Sequence, residues 1–205
     1  WTNSALAPTD QQLLLRLATQ AIARRLSEAA PNNPGDGLAP SLVGTALEVR
    51  RATFVTLRRN GRLRGCCGSI RAFEPLAQNV VRSALTAAFS DRRFPAVEFD
   101  ELDDLDLHIS ILSAPEPLEF FTEADLIARL RPHVDGVILI ERELNRQGVF
   151  LPAVWEQLPD PGDFVRRLKL KAQLAEDYWS PWMAASRFTA ESVHGRMADW
   201  LPPGA

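Results

Sequence analysis

The chain has 205 residues, 46% of them hydrophobic, and a formal net charge of -3 at pH 7. This length suits one substantial core or two small lobes that share an interface, but not several independent domains. The negative charge argues against a dedicated nucleic-acid-binding protein, and no run of about 18 apolar residues suggests a membrane span. The segment Trp1–Ser4 lacks the pattern of a signal peptide, so we expect a cytoplasmic protein.

The N-terminal region predicts a helix followed by a loop. Thr9 and Gln12 have the spacing of a capping box, and apolar residues then recur at helical spacing from Leu13 to Leu26. The segment Pro31–Gly37 contains proline, asparagine and glycine residues that fix or permit turns. We therefore expect the helix to end before a surface loop.

The next region predicts a hairpin, a helix and a strand. Thr53–Leu57 has β-branched and aromatic residues, and the Asn-Gly dipeptide that follows at position 60 favours a type I′ turn into a second strand. Pro75 suits the first position of a helix that runs to Phe89. The alternation from Leu105 to Leu112 predicts a strand with one buried face.

The remaining region predicts further short elements of both types. Thr122 and Asp125 can cap a helix that runs through Leu130, and Asp160 with Pro161 can open another. Strands at Val137–Ile140 and Val149–Leu151 predict a second hairpin, with Asn145 and Gly148 in its loop; the aromatic tail Tyr178–Trp200 stays unassigned. Interleaved helices and hairpins without a regular βαβ period or an internal repeat predict the α+β class.

Charge is distributed unevenly along the chain. The segment from Val49 to Phe73 contains seven arginines and no acidic residue, whereas Glu98–Asp106 contains six acidic residues and no basic one. One interpretation is that the two segments neutralise each other across the fold or simply face water. The other is that some of the arginines converge on a phosphate or carboxylate of a substrate.

The cysteines of the chain, Cys66 and Cys67, lie in a predicted loop between Gly65 and Gly68. Backbone N–H groups of such a loop can form an anion-binding nest, and Arg64, two residues before Cys66, would favour its thiolate. This pattern predicts a nucleophile at Cys66. The structural alternative is that both cysteines are small buried apolar residues at the end of a hairpin.

Other catalytic motifs are weak or missing in the sequence. Adjacent thiols chelate one metal ion poorly, so we expect no metal site at the cysteines. His108, His133 and His194 are interpreted as surface or satisfied polar residues, because no spacing identifies one of them as a catalytic base. There is no P-loop or dinucleotide fingerprint, and the sequence indicates no particular cofactor.

Several segments together resemble the AMMECR1 family. The hexapeptide Leu63–Gly68 is similar to the family signature, with Cys67 in place of the usual apolar residue. The resemblance spans about Leu13 to Glu191, and departs from the family pattern at Asp135 and Gln173. Further matching segments are Phe54–Leu57, Asp91–Phe94, Ile109–Ser113, Gly148–Pro152 and Lys171–Ala172.

The resemblance implies a fold, a cysteine position and partners. It implies a single two-lobed α+β domain over residues 1–205, with the N- and C-terminal portions forming the larger lobe and a central portion the smaller one. It gives Cys66 the cysteine position of the family. Bacterial relatives are named protein A of a three-part system, which implies a Memo-like protein and a radical SAM protein as partners.

Two functional hypotheses follow. In the first, the chain is an enzyme or ligand-processing subunit for a small anionic substrate, with Cys66 as the reactive thiolate and Arg64 as its support and substrate anchor. The backbone from Gly65 through Gly68 to Ser69 would cradle an oxyanion or phosphate, and Asp91 and Arg92 would line the same cleft. In the second, the chain is a partner module without chemistry of its own.

Overall fold

The computed structural model describes residues 5–27 and 45–201 of the chain. The chain divides into two compact units, the first formed by Trp1–Leu112 with Glu191–Ala205 and the second by Ser113–Ala190. Each unit has a four-stranded sheet and an apolar core of its own. The loop predicted at Pro31–Gly37 lies outside the described residues.

Helices and antiparallel strand pairs are interleaved, and the α+β class predicted from the sequence is confirmed. Short 3₁₀ turns at Ala46–Glu48, Phe99–Asp104, Pro152–Glu156 and Met197–Trp200 connect the larger elements. In chain order, the helices and strands of the described residues are α1 (Pro8–Ser27), β1 (Thr53–Arg59), β2 (Arg62–Ser69), α2 (Leu76–Phe89), β3 (Leu105–Leu112), β4 (Glu116–Leu118), α3 (Glu123–Arg129), β5 (Gly136–Glu141), β6 (Arg146–Phe150), α4 (Pro161–Lys171), β7 (Met183–Phe188) and β8 (Ala190–Arg196).

The sheet of the first unit has the strand order β2-β1-β3-β8 and one buried face. Val55, Leu57, Leu107 and Ile109 are fully buried in the core that includes residues of α1 and α2. Because side chains alternate along a strand, the residues between them lie on the opposite face. We call it the open face, because its side chains are half-buried or exposed: Phe54, Thr56 and Arg58 of β1; Cys66 of β2; Asp106, His108 and Ser110 of β3; and Ser192, His194 and Arg196 of β8.

The β1–β2 hairpin confirms one prediction and overturns another. Asn60 has φ 52° and Gly61 has φ 76°, the left-handed pair that a type I′ turn requires, so the predicted turn is confirmed. The residues from Arg64 to Gly68 were predicted to form a loop, and this is wrong. They belong to β2, because their backbone pairs with β1 up to Ser69 opposite Thr53.

Two helices begin at positions other than those predicted. Helix α1 begins at Pro8, and the carbonyl of Ala7 accepts the N–H groups of Asp10 and Gln11. Thr9 therefore lies inside the helix and is not its cap, since proline at the first position needs no N–H partner. Pro75 is the N-cap of α2 and not its first helical residue.

The second unit contains a sheet with the order β4-β7-β5-β6. The β5–β6 hairpin is confirmed, although Gly148 lies within β6 and not in the loop. The capping box of α3, with Thr122 and Asp125, and the Asp160 cap of α4 are also confirmed. The core of this unit is built around Trp155 and Phe164, whose stacked rings have centroids 3.8 Å apart.

The segment that the sequence left unassigned, Tyr178–Trp200, contains two strands. β7 is a central strand of the second sheet, and β8 is the edge strand beside β3 in the first. In the described ranges, 5–27 and 45–201, no helix combines the length and apolar character that crossing a membrane would require.

Candidate functional site

Strand β2 places the two cysteines on opposite faces of the first sheet. Cys66 pairs with Thr56 and lies half-buried on the open face. Cys67 pairs with Val55 and packs against the apolar core, where burial raises the pKa of its thiol. Both thiols are free. The alternation of the strand therefore makes Cys66 the thiol of the open face.

Polar groups surround Cys66 on two sides. The hydroxyl of Thr56 donates a hydrogen bond of 3.3 Å to the Cys66 sulfur from the adjacent strand. The backbone N–H of Cys66, at the outer edge of β2, donates a 2.9 Å hydrogen bond to Oδ2 of Asp91. The sulfur is thus held by a neighbouring strand and its backbone by the segment that follows α2.

Asp91 also holds Arg93. The Arg93 guanidinium donates to both carboxylate oxygens of Asp91, at 3.0 and 2.7 Å, and the Arg93 backbone N–H adds a third bond of 3.1 Å. These bonds, with that from Cys66, hold the pKa of Asp91 far below its usual range. The carboxylate is therefore ionised at neutral pH and fixes the guanidinium beside the cysteine.

Arg93 is open to solvent and shares Asp91 with the backbone of Cys66. Its side chain is 57% exposed, whereas that of Asp91 is 8% exposed. The hydrogen bonds with Asp91 raise the pKa of Arg93 first, and charge and hydrogen-bond interactions with the side chain of Cys66 raise it further. A guanidinium has five N–H donors, so donors remain for another anion after the pair with Asp91 has formed.

Arg64 occupies a different environment from the one predicted for it. Its guanidinium donates two bonds of 2.8 Å to Glu101 and two more to the carbonyls of Pro95 and Ala96, and its side chain is 12% exposed. Glu101 is also bound by Arg59, and its pKa is lowered, chiefly by Arg64. These four bonds direct the Arg64 guanidinium to Glu101 and the backbone at 95–96, and they do not support the expected role of substrate anchor.

The charged segments neutralise each other in part. Arg59 and Arg64 both bind Glu101, and Arg59 also binds Asp104. A cleft of about 560 Å³ lies at the end of the hairpin, where Arg62 is exposed between these paired arginines. Its lining does not include Cys66, so the arginine cleft and the thiol are separate features of the surface.

The glycines beside Cys66 are required by close packing. A Cβ atom at Gly65 would collide with the carbonyl of Ala87 in α2, and one at Gly68 would collide with the backbone and ring of Phe54. The N–H of Cys66, at the centre of the predicted anion cradle, is already donated to Asp91. The extended strand therefore corrects the prediction of a glycine-bracketed anion nest.

The remaining predicted site residues lie at different distances from the thiol. Asp91 is in direct contact with Cys66, as described above, and Arg92 is exposed next to it in the chain. The Ser69 hydroxyl accepts a 3.0 Å hydrogen bond from the N–H of Arg71, just where β2 ends. Among the predicted site residues, Asp91 binds the backbone of Cys66, whereas Arg64 binds Glu101.

Two histidines lie on the same open face as Cys66. His108 pairs with Thr56 across β3 and β1, and its ring stacks on that of His194 from β8, with centroids 5.7 Å apart. The pKa of His108 is lowered, first by burial, then by Arg58 and His194, while Asp106 opposes the shift. His108 is therefore mainly neutral at neutral pH and can donate or accept a proton.

Sequence reasoning missed Thr56, Arg93 and the histidine pair as parts of this site. The alternation of β1 and β3 could have placed Thr56 and His108 on one face, but only the register shows that Thr56 lies between Cys66 on one side and His108 on the other. Across residues 5–27 and 45–201, no group of three or more His, Cys, Asp or Glu side chains is arranged to hold a metal ion.

The sequence matches a protein-family model and several proteins of other organisms. The AMMECR1 family model matches residues 15–193. A protein of Methanothermobacter thermautotrophicus is 40% identical over 147 residues, covering 71% of this chain and 76% of the relative. A Thermofilum pendens protein is 33% identical over 180 residues, covering 85% of this chain and 84% of the relative.

A solved structure has a similar fold. The crystal structure of an uncharacterized protein from Pyrococcus horikoshii has a TM-score of 0.78 and 29% sequence identity, and the match covers 91% of this chain and 92% of that one. The family model spans the elements of both units, from α1 to β8. The chain therefore belongs to the AMMECR1 family.

Proposed function

We propose that this AMMECR1 protein is a thiol-dependent enzyme or ligand-processing subunit that acts on an anionic substrate at the open face of its first sheet. The position of the Cys66 side chain carries the proposal: it is half-buried, its sulfur accepts a hydrogen bond from Thr56, and Asp91 binds both the Cys66 backbone and the Arg93 guanidinium. The thiolate is the nucleophilic form of cysteine, and a cation near the sulfur can hold an anionic substrate beside it.

Arg93 supports this proposal better than Arg64 does. Arg93 is largely exposed yet oriented by its two bonds to Asp91, so it can bind a substrate anion without losing its position. A preoriented guanidinium loses little side-chain entropy when it binds a carboxylate or phosphate. Arg92, which is exposed and lies between Asp91 and Arg93 in the chain, adds a second positive charge to this segment.

The proposed step is addition of the Cys66 sulfur to a carbonyl carbon. The S–H proton leaves to solvent, the sulfur–carbon bond forms, and the carbon–oxygen π bond breaks to leave a negative charge on oxygen. Arg93 is the positive group available to stabilise that charge, because Asp91 binds its guanidinium and also the backbone N–H of Cys66. Electrostatic stabilisation of a developing oxyanion is commonly a large part of catalysis.

Two alkylating agents of different charge test the proposal. Iodoacetate and iodoacetamide share the reactive carbon, so the ratio of their rates at Cys66 reports attraction of an anion. We expect this ratio to be about threefold to fivefold higher than for 2-mercaptoethanol, the scale of one partly exposed charge pair. Peptide mass mapping assigns the label to Cys66 and separates it from Cys67.

Matched arginine variants identify the source of the effect. Arg93→Gln should reduce the ratio to that of the small thiol, because the attracting charge is removed while Cys66 is retained. Arg16→Gln, at an exposed position of α1, should leave it unchanged. If native Cys66 shows the same ratio as 2-mercaptoethanol, the protein does not attract anions to this thiol and the proposal is wrong.

The second candidate is a non-catalytic partner of a Memo-like protein and a radical SAM protein. Two exposed aromatic side chains of the second unit favour it: Phe121 is 92% exposed and Trp182 is 53% exposed. Exposed aromatic residues are enriched at the centres of protein interfaces.

Binding measurements with purified partners separate the two candidates. For the partner module, Phe121→Ser and Trp182→Ser should weaken binding to the Memo-like or radical SAM protein about tenfold, the usual effect of losing an aromatic anchor. Cys66→Ser should leave that binding unchanged. The absence of any complex with either protein at micromolar concentration would count against the partner hypothesis.

A further inference from the structure

A row of side chains crosses the open face from Cys66 to the far edge of the sheet. The β-sheet register places Thr56 opposite Cys66 on one side and opposite His108 on the other. His194 extends the row through its ring contact with His108. The four residues come from β2, β1, β3 and β8, which is the strand order of the sheet. The thiol and the imidazoles thus share one surface.

The histidine end of this row is surrounded mainly by positive groups. Arg58 lies two residues after Thr56 in β1, on the same face. Both Arg58 and His194 lower the pKa of His108. Arg196 of β8 is exposed two residues beyond His194, and Asp106 of β3 is the acidic residue that faces His108. Arg58 donates one bond, to the Gly61 carbonyl at 3.0 Å, and so retains further donors.

We infer that Arg58, His108 and His194 bind a terminal anionic oxygen group of the same substrate whose electrophilic carbon lies at Cys66. The inference rests on the proposed function and adds the shape of the substrate to it. Adjacent strands are about 4.8 Å apart, so Cys66 and His108, two strands apart, are separated by roughly 10 Å along the row. The substrate is therefore an elongated molecule with an electrophilic carbon and a distant carboxylate or phosphate.

The charges around the histidines favour an anion over a divalent cation. A neutral imidazole can ligate a metal ion, but the pair offers two nitrogen ligands only, and the guanidinium of Arg58 repels a cation at this position. An anion is attracted by Arg58 and can accept hydrogen bonds from both imidazoles, while Asp106 is the charge that opposes it. Its binding also favours the protonated form of His108, so it should be stronger at pH 6 than at pH 8.

A series of bromoacetyl peptides tests the length. Bromoacetyl-glycine, -diglycine, -triglycine and -pentaglycine carry the same reactive carbon and a carboxylate at increasing distance, since each residue adds at most about 3.5 Å. Each probe has a matched C-terminal amide without the charge. The ratio of the acid rate to the amide rate at Cys66 cancels the intrinsic reactivity of the thiol and reports the anchor alone.

We expect the ratio to be largest for the diglycine or triglycine probe, where it should exceed the pentaglycine value by about threefold to fivefold, the scale of one exposed charge interaction. His108→Gln and the more exposed His194→Gln should each reduce this maximum, and Asp106→Asn should raise it by removing the opposing charge. Ser110→Ala, on the same face of β3, is the matched control. Thermal unfolding of each variant checks that it folds.

The possible results separate the inference from the proposed function. A ratio independent of probe length, with a normal preference for iodoacetate, overturns the distant anchor and leaves the proposed function intact. A maximum that persists in both histidine variants also overturns the anchor, because another group would then bind the carboxylate. Loss of the iodoacetate preference itself overturns both. A maximum that depends on the histidines supports the inference.

Discussion

Two arginines, Arg64 of β2 and Arg93 after α2, are in opposite situations. Arg64 is 12% exposed and uses four hydrogen bonds to bind Glu101 and two backbone carbonyls. Arg93 is 57% exposed and pairs with Asp91 beside the Cys66 sulfur. The first arginine stabilises the fold and the second remains available to a ligand. Arg64 was chosen from the sequence because it lies two residues before Cys66, but Arg93 is the arginine that remains exposed.

Stability measurements should show the largest difference between these arginines. Arg64→Met leaves the carboxylate of Glu101, 9% exposed, with Arg59 as its remaining cation, and should lower the free energy of unfolding by about 2–4 kcal/mol. Arg93→Met leaves the Asp91 carboxylate, 8% exposed, with the backbone N–H groups of Cys66 and of position 93, and should lower it by about 1–2 kcal/mol because the lost guanidinium is mostly exposed. Urea denaturation measures both values. Equal losses would contradict the division into a structural and an available arginine.

Acid should weaken both regions, since the pKa values of Asp91 and Glu101 are both lowered in the folded chain. A carboxyl group with a lowered folded pKa contributes stability above its unfolded pKa, about 4, and this contribution is lost as the pH falls toward the folded value. Asp91→Asn and Glu101→Gln should therefore each reduce the dependence of stability on pH below about pH 4.

The pH dependence also distinguishes the two regions. The main cause of the lowered pKa is the hydrogen bond with Arg93 at Asp91 and the hydrogen bond with Arg64 at Glu101. Arg93→Met should therefore reduce the acid dependence assigned to Asp91 and leave that of Glu101 in place. Urea denaturation between pH 2 and pH 6 measures this, with Asp100→Asn in the exposed part of the acidic run as the control. If Asp91→Asn loses stability at low pH as much as the native chain does, this carboxylate does not stabilise the fold.

Local patterns predicted much of the fold. The Asn60–Gly61 turn, the alternation of β3 and the Thr122 capping box depend on a few neighbouring residues, and each was read correctly from the sequence. The glycines around Cys66 misled the interpretation, because glycine serves both loops and close packing. Gly65 is needed where α2 approaches β2, and this contact joins residues that are distant in sequence.

The site depends on pairings that local patterns do not reveal. Thr56, Cys66 and His108 become neighbours through the register of three strands, and His194 joins them from a strand that the sequence left unassigned. The Asp91–Arg93 segment was recognised by its resemblance to the family, but the choice between Arg92 and Arg93 required the bond to Asp91. The sequence therefore indicated the thiol and the acidic residue beside it, but not the cation.

The smallest expected effect concerns the hydroxyl of Thr56. Thr56→Val keeps the shape of the side chain but removes the 3.3 Å hydrogen bond to the Cys66 sulfur. Since sulfur is a weak acceptor, alkylation by neutral iodoacetamide should slow by only about twofold, and the iodoacetate preference set by Arg93 should remain. Ser110→Ala on the same face should change neither rate. If Thr56→Val abolished the iodoacetate preference, the hydroxyl and not the guanidinium would control anion attraction, and the contrast between Arg64 and Arg93 would lose its functional meaning.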